Sequence, residues 1–265
     1  MTLFSRLRFT ASYITFLRRS RTKYGVHSPF VYNLITKVLH DHSQYEEYKL
    51  AEEIRKQCLH SKRVIEISNF GAMKRRTSLR NELKQVRSIA RSAVTPRCGR
   101  LLYRLVKNFA PETILELGTS LGISTIYLAS AAPAANFTTM EGCSTTADLA
   151  TENLKKAGLH HINLLIGDFS ISLPRLVTAQ KTIGFAFFDG NHTYKATLEY
   201  FSQCLPVSDE DSIFVFHDIH WSRGMEAAWA QICKHPHVTV SIDLFEMGLV
   251  FFRKGLSKQD FIIRF

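Results

Sequence analysis

From Pro111 onward the chain alternates short β-rich runs with segments of helical length, and this alternation leaves few folds open. Strands that each return through a helix are the pattern of a mostly parallel sheet covered on both faces. The strand runs are Thr113 to Leu117, Phe137 to Met140, Ile162 to Ile166, Ile183 to Phe188, Ser212 to His217, Val238 to Ile242 and Leu249 to Phe252. Between the first five lie helical segments at Ile123 to Ala132, Thr145 to Ala157, Ile171 to Thr178 and Tyr194 to Gln203. Each crossover is expected to be right-handed. The last two strands follow a helix around Met225 to Lys234 and are only six residues apart, so they are expected to pair as an antiparallel hairpin closing one sheet edge. The expected fold is therefore α/β, a Rossmann-like seven-stranded sheet with a C-terminal hairpin, preceded by a helical region.

That preceding region differs in charge. Residues 1–110 hold 23 Lys/Arg against 7 Asp/Glu, a net +16, whereas residues 111–265 hold 11 against 16, a net −5. We expect a basic helical cap or oligomerisation region over residues 1–96 and the ligand-binding domain over 97–265. Helices are expected at Ser28 to Leu39, Gln44 to Leu59 and Arg75 to Ala93, and Arg97 to Phe109 turns Leu101, Leu102, Leu105 and Val106 towards the sheet. In the first segment Leu3, Leu7, Ile14 and Leu17 fall near helical spacing beside Arg6, Arg18 and Arg19, and no acid precedes Asp41. Such a helix suits a membrane surface, a nucleic acid, or packing on the main domain or a second subunit, which makes a homodimer an open expectation.

Hydrophobic and charged fractions of 45% and 22% exclude disordered and collagen-like chains. No apolar run reaches about 18 residues, so no transmembrane segment is expected. Five widely spaced cysteines, Cys58, Cys98, Cys143, Cys204 and Cys233, form no CxxC pair. Neither a disulfide framework nor a zinc cluster is written there, and a cytoplasmic location follows as an expectation.

The stretch Ile114-Leu-Glu-Leu-Gly-Thr-Ser-Leu-Gly122 carries the chemistry: an apolar strand turns sharply at Gly118 and enters a helix after Gly122. Glycine permits a backbone approach that a β-carbon blocks, and the helix start offers unpaired N–H groups. A dinucleotide site favours G-x-G-x-x-G, but this loop reads Gly-Thr-Ser-Leu-Gly, and Glu116 two positions earlier favours a cationic ligand over a phosphate.

Glu116 to Gly122 resembles the first motif of class I S-adenosylmethionine-dependent methyltransferases. The resemblance extends through Arg97 to Phe265. It implies a cofactor site formed by Glu116, Gly118, Thr119, Ser120 and Gly122, with Glu141 and Gly142 at the ribose diol, Asp168 and Phe169 at the adenine, and Asp189 at the end of the fourth strand. Asp168 has a second possible role as the N-cap of the following helix. Phe188-Asp-Gly-Asn-His-Thr-Tyr194 and Phe216-His-Asp-Ile-His-Trp221 further resemble the metal-assisted small-molecule O-methyltransferases, the catechol and macrocin group, with Asn191 where the macrocin pattern has a second acid. That resemblance implies a divalent cation, Mg or Mn, on Asp189, His217 and Asp218, although imidazole suits zinc, manganese or iron better than magnesium. The implied catalytic residues are Asp189 with His192 or His220 as general base, acting on a small-molecule hydroxyl.

Two rival functions are a nucleic-acid methyltransferase using the basic region and a cofactor-binding interaction protein. Against the first, the fourth strand ends in Asp-Gly-Asn-His and lacks the Asn/Asp-Pro-Pro-aromatic segment of base-amino methyltransferases.

Overall fold

The computed structural model describes residues 3–68 and 81–265. In chain order the elements are α1 Leu3–Arg19, α2 Pro29–Leu34 running into a π-helical turn Ile35–Leu39, α3 Glu46–His60, β1 Val64–Ser68, β2 Asn81–Gln85, α4 Val86–Ser92 and α5 Pro96–Phe109. There follow β3 Thr113–Leu117, α6 Ile123–Ala131, β4 Asn136–Glu141, α7 Ser144–Lys156, β5 Asn163–Ile166 and α8 Phe169–Ala179. The remainder is β6 Phe185–Phe188, α9 Tyr194–Cys204, β7 Ile213–His217, α10 Arg223–Lys234, β8 Val240–Asp243, β9 Met247–Phe251 and β10 Gln259–Ile262. The expected class is the one observed: mixed α/β, with a large, mostly parallel sheet of eight strands.

The chain divides into two compact units. One comprises Met1–Asp41, Thr182–Phe188 and His192–Phe265; the other comprises His42–Lys181 and Asp189–Asn191.

In the second unit β3, β4 and β5 are parallel neighbours, with Glu116 opposite Thr139 and Leu117 opposite Met140. The preceding α5 starts where Thr95 accepts a hydrogen bond from the Cys98 N–H at 3.3 Å and Pro96 occupies the first turn. Its buried Leu101, Leu102, Leu105 and Val106 form the expected apolar face. Gly99 lets α6 close in: a β-carbon there would lie 2.2 Å from the Tyr127 ring.

The expected helix from Arg75 to Ala93 is corrected. Residues 75–80 lie outside the described residues, residues 81–85 form a strand, and only Val86–Ser92 are helical. Asn81–Gln85 pairs antiparallel with Val64–Ser68, and this pairing outweighs the helical preference of Glu82, Leu83 and Lys84. The N-terminal region is thus not wholly helical.

In the first unit the strand order is β10-β8-β9-β7-β6. The expected hairpin forms between β8 and β9, with β9 also antiparallel to β7. It does not close the edge, because β10 adds a further strand parallel to β8, an eighth beyond the seven expected. β10 also anchors the N-terminal segment, since Arg21 donates its N–H to the Ile262 carbonyl at 2.8 Å. α1 belongs to this unit: Phe9, Tyr13 and Phe16 place their rings 4.8 to 5.3 Å from that of Phe245. No described helix is long and apolar enough to cross a membrane, and all five cysteines are free thiols.

Candidate cofactor site

The turn after β3 is built from backbone that only glycine tolerates easily. Gly118 has φ +108° and Gly122 has φ +78°. A β-carbon on Gly118 would lie 2.6 Å from the carbonyl oxygen of Asp189, whose N–H donates to the Leu117 carbonyl at 2.8 Å. Gly190 is equally hemmed in, since a β-carbon there would lie 2.7 Å from the Phe169 ring. Two glycines therefore let the turn after β3 and the Asp189–Asn191 segment touch. Gly122 caps α6 and donates its N–H to the Thr119 carbonyl at 2.8 Å.

Glu141 ties three strand ends together. Its Oε2 accepts the Ser120 N–H at 2.8 Å and its Oε1 accepts the Cys143 N–H at 2.9 Å, while its own carbonyl accepts the Gly167 N–H at 2.9 Å. Burial pushes its carboxyl above the usual range, against the pull of the Cys143, Ser120 and Gly142 N–H groups. With about four lone-pair sites and three N–H groups to accept, the carboxylate keeps room for a further donor. Asp168 takes the capping role foreseen for it: its Oδ1 accepts the Ser170 N–H at 2.8 Å and starts α8. Phe169 is buried immediately after it. The bend at Gly118, the acid at Glu141 and the turn at Asp168 thus lie together at the carboxyl ends of three adjacent parallel strands, where open α/β sheets bind ligands.

Glu116 sits beneath this turn, fully buried. Its Oε2 accepts from Thr125 Oγ1 at 2.5 Å and Thr139 Oγ1 at 2.7 Å, and Thr119 Oγ1 lies 2.6 Å from Thr139 Oγ1. Burial raises the Glu116 pKa to about 7; hydroxyl donors oppose this, and the nearby Asp189 charge adds to it. Among the described residues, no cation is among the groups that shift either Glu116 or Glu141. Thr125, Thr139 and Gly190 were not singled out from the sequence. Two consecutive threonines in the otherwise apolar run Phe137 to Met140 were the available signal.

The remaining predicted residues lie in the first unit. His192 Nε2 is 3.9 Å and His217 Nδ1 3.8 Å from Asp218 Oδ2, and Asp218 has φ +57°. Two imidazoles beside one carboxylate form a donor set more suited to zinc, manganese or iron than to magnesium. No group of three His, Cys, Asp or Glu side chains among the described residues is gathered so as to hold an ion. The residues present do not make a metal centre by themselves. His220 is held elsewhere: its Nε2 lies 2.9 Å from Asp243 Oδ2, its Nδ1 lies 3.4 Å from Glu226 Oε1, and its ring stacks on Phe245. Burial disfavours its charge, but the two carboxylates outweigh that and hold its pKa above the ordinary value. Arg8 completes the group, pairing with Glu226 at 3.1 Å and donating to the Trp221 carbonyl at 2.6 Å.

Residues 115–219 match the family described as a methyltransferase domain. The chain is 38% identical over 88 residues to a rat protein named transmembrane O-methyltransferase homolog, a match covering 32% of this chain and 34% of the rat protein. It is 37% identical over 90 residues to the human transmembrane O-methyltransferase, covering 33% of this chain and 31% of the human one. The matched part spans about a third of the length of these curated relatives. Among solved structures, the O-methyltransferase from Bacillus cereus in complex with SAH superimposes with a TM-score of 0.55 at 19% identity, covering 84% of this chain and 97% of that one. The O-methyltransferase TomG from Streptomyces achromogenes, in complex with SAM, gives 0.56 at 20% identity, covering 84% and 95%. The SAH-bound methyltransferase PaMTH1 from Podospora anserina gives 0.59 at 12% identity, covering 86% and 98%. The fold is that of the class I methyltransferases.

Proposed function

We propose that this chain is an S-adenosylmethionine-dependent O-methyltransferase acting on a small molecule. The observation that carries the reading is the Glu141 carboxylate, which gathers the turns after β3, β4 and β5 while keeping room to accept from a ribose hydroxyl. The buried Glu116 supports it, because a sulfonium ligand with an ammonium group brings positive charge towards an acid held, among the described residues, by hydroxyl donors. When bound, the cofactor supplies an electrophilic methyl group.

The chain's own residues do the rest. Glu141 accepts the ribose hydroxyls, with Gly142 beside it, and Gly118 with Thr119 and Ser120 presents backbone instead of side chain. Asp168 takes the adenine amino group through the oxygen not used in capping, and Phe169 shields the ring. Asp189 orients the acceptor. His192 takes the acceptor's hydroxyl proton as the O–C bond forms opposite the breaking C–S bond, and then releases it to solvent. His192 is preferred to His220 as base because both ring nitrogens of His220 are engaged by carboxylates.

A divalent cation on Asp189, His217 and Asp218 is the part of the proposal carried by family resemblance alone, and no step above runs through it. The region before Arg97 is proposed to cap the acceptor site or mediate self-association. Five free thiols support a reducing cytoplasm as the location.

The test is methyl transfer from labelled cofactor to a panel of hydroxyl-bearing small molecules, with and without chelator. Methyl ether formation is expected, and His192→Ala should lower kcat by about 100-fold or more, far beyond the effect of His220→Gln. Full rate in chelator would remove the cation alone. Cofactor binding without transfer to any hydroxyl would remove the enzymatic reading, and transfer only to RNA would install the rival.

A further inference from the structure

α1 has two apolar faces, and the first unit covers only one. Phe9 and Phe16 turn inward onto Phe245, while Arg8 and Ser12 on the same side are tied to Glu226. On the opposite side Leu7 and Ile14, two helical turns apart, are exposed, Leu7 at 63% and Ile14 at 46% of their full areas. Packing on the body of the protein therefore does not explain this second row.

The charge around the row has one sign. Arg18 continues it one turn after Ile14, and Arg19 and Arg21 follow, all exposed. Among the described residues Arg18 and Arg19 make no ion pair, and the sequence holds no acid before Asp41. Beyond the helix Tyr24 is 84% exposed with Lys23 over its ring at 5.2 Å, an aromatic body with a polar tip of the kind that settles at a lipid headgroup boundary.

We propose that the outer face of α1 docks on an anionic lipid bilayer. Leu7 and Ile14 enter the headgroup boundary, and Arg18, Arg21 and Lys23 meet the lipid phosphates. A helix lying in the interface needs an apolar row flanked by cations rather than a membrane-spanning length, and α1 has that pattern. A second copy of the chain would bring the same basic face against itself, and a nucleic acid has no use for the leucine and isoleucine at its centre. The role is independent of the chemistry proposed above, because Leu7 and Ile14 lie on the side of α1 away from Phe245, Glu226 and His220.

The experiment is co-sedimentation of the full chain with vesicles of phosphatidylcholine alone or with roughly 30% phosphatidylglycerol, at low and high salt. The account expects at least about tenfold stronger partitioning onto the anionic vesicles, weakened by salt, and a similar loss in Leu7→Gln/Ile14→Gln with unchanged thermal stability. Arg18→Gln should lower partitioning onto anionic vesicles only. Equal binding to both vesicle types, full binding by the double variant, a dimer that the double variant dissociates, or retention on random RNA without vesicle binding would each overturn it. Cofactor titration of the same variants separates this outcome from failure of the enzymatic reading.

Discussion

The two units treat their buried and half-buried carboxylates in opposite ways. In the first, Glu226 and Asp243 each face a cation, and Arg8 and His220 close the group into an internal network. In the second, Glu116 is held by threonine hydroxyls and Glu141 by backbone N–H groups, and among the described residues no cation contributes at either. Burying a carboxylate without a cation raises its pKa, whereas carboxylate partners push a histidine's pKa up. A network that is already neutralised has little left to offer a ligand. An acid pair held, among the described residues, by neutral donors at the strand ends has the composition of a site that receives its positive charge from outside.

The sharpest way to break this contrast is Gly118→Ala. The added carbon would fall 2.6 Å from the Asp189 carbonyl oxygen at φ +108°. We expect cofactor affinity to fall by about 100-fold or more, and stability by roughly 2 to 4 kcal/mol, read by calorimetry and thermal melts. Tight binding by this variant would place the ligand away from the turn.

Next comes pH. The folded-state pKa of Glu116 is raised from 4.5 to about 7, so the fold binds this proton more tightly than the unfolded chain does. Its contribution is fully present below about pH 4.5 and is lost as pH rises through about 7, on the order of 3 kcal/mol across the window. His220, also raised, loses its contribution in the same direction above its ordinary value of 6.5. Unfolding free energies of the ligand-free protein should therefore fall from pH 5 to pH 8, and Glu116→Gln should flatten most of that fall. An unchanged slope in Glu116→Gln would mean that the acid is solvated.

Arg8→Met tests the other unit. Leaving Glu226 with only His220 and Ser12 should cost about 2 kcal/mol, discounted for the 30% exposure of the Glu226 side chain, while cofactor affinity stays as it was. The smallest expected effect is Asp168→Ala, which removes the α8 cap and about 1 kcal/mol of stability. If its affinity loss exceeds its stability loss, the second oxygen of Asp168 touches the ligand.

Local patterns were legible in the sequence, and pairings across long separations were not. Thr113–Leu117 was delimited as observed, and the glycine turn, Glu141 and Asp168 fell where strand spacing put them, because each depends on residues near it in sequence. The β1–β2 pairing joins two mixed-polarity runs that show no strong period of their own, so only the partner strand decides the conformation. β10 was missed for a similar reason, since Gln259 and Asp260 break any apolar run and its pairing is with β8. His220 stood beside His192 as a candidate base because Asp243 and Glu226 reach it only in the folded unit. The hydroxyl cage of Glu116 depends on the β3–β4 register that sets Thr139 opposite it.

The central claim is that Glu141 organises a single site for the adenosyl cofactor. Calorimetric titration of S-adenosylhomocysteine into the wild-type protein and Glu141→Gln tests it directly. The account predicts saturable binding by the wild type and at least about tenfold weaker binding by the variant, because a carboxylate that accepts a diol is replaced by an amide that accepts at one atom only. Equal affinities in the two proteins, or no binding heat from the wild type, would contradict it.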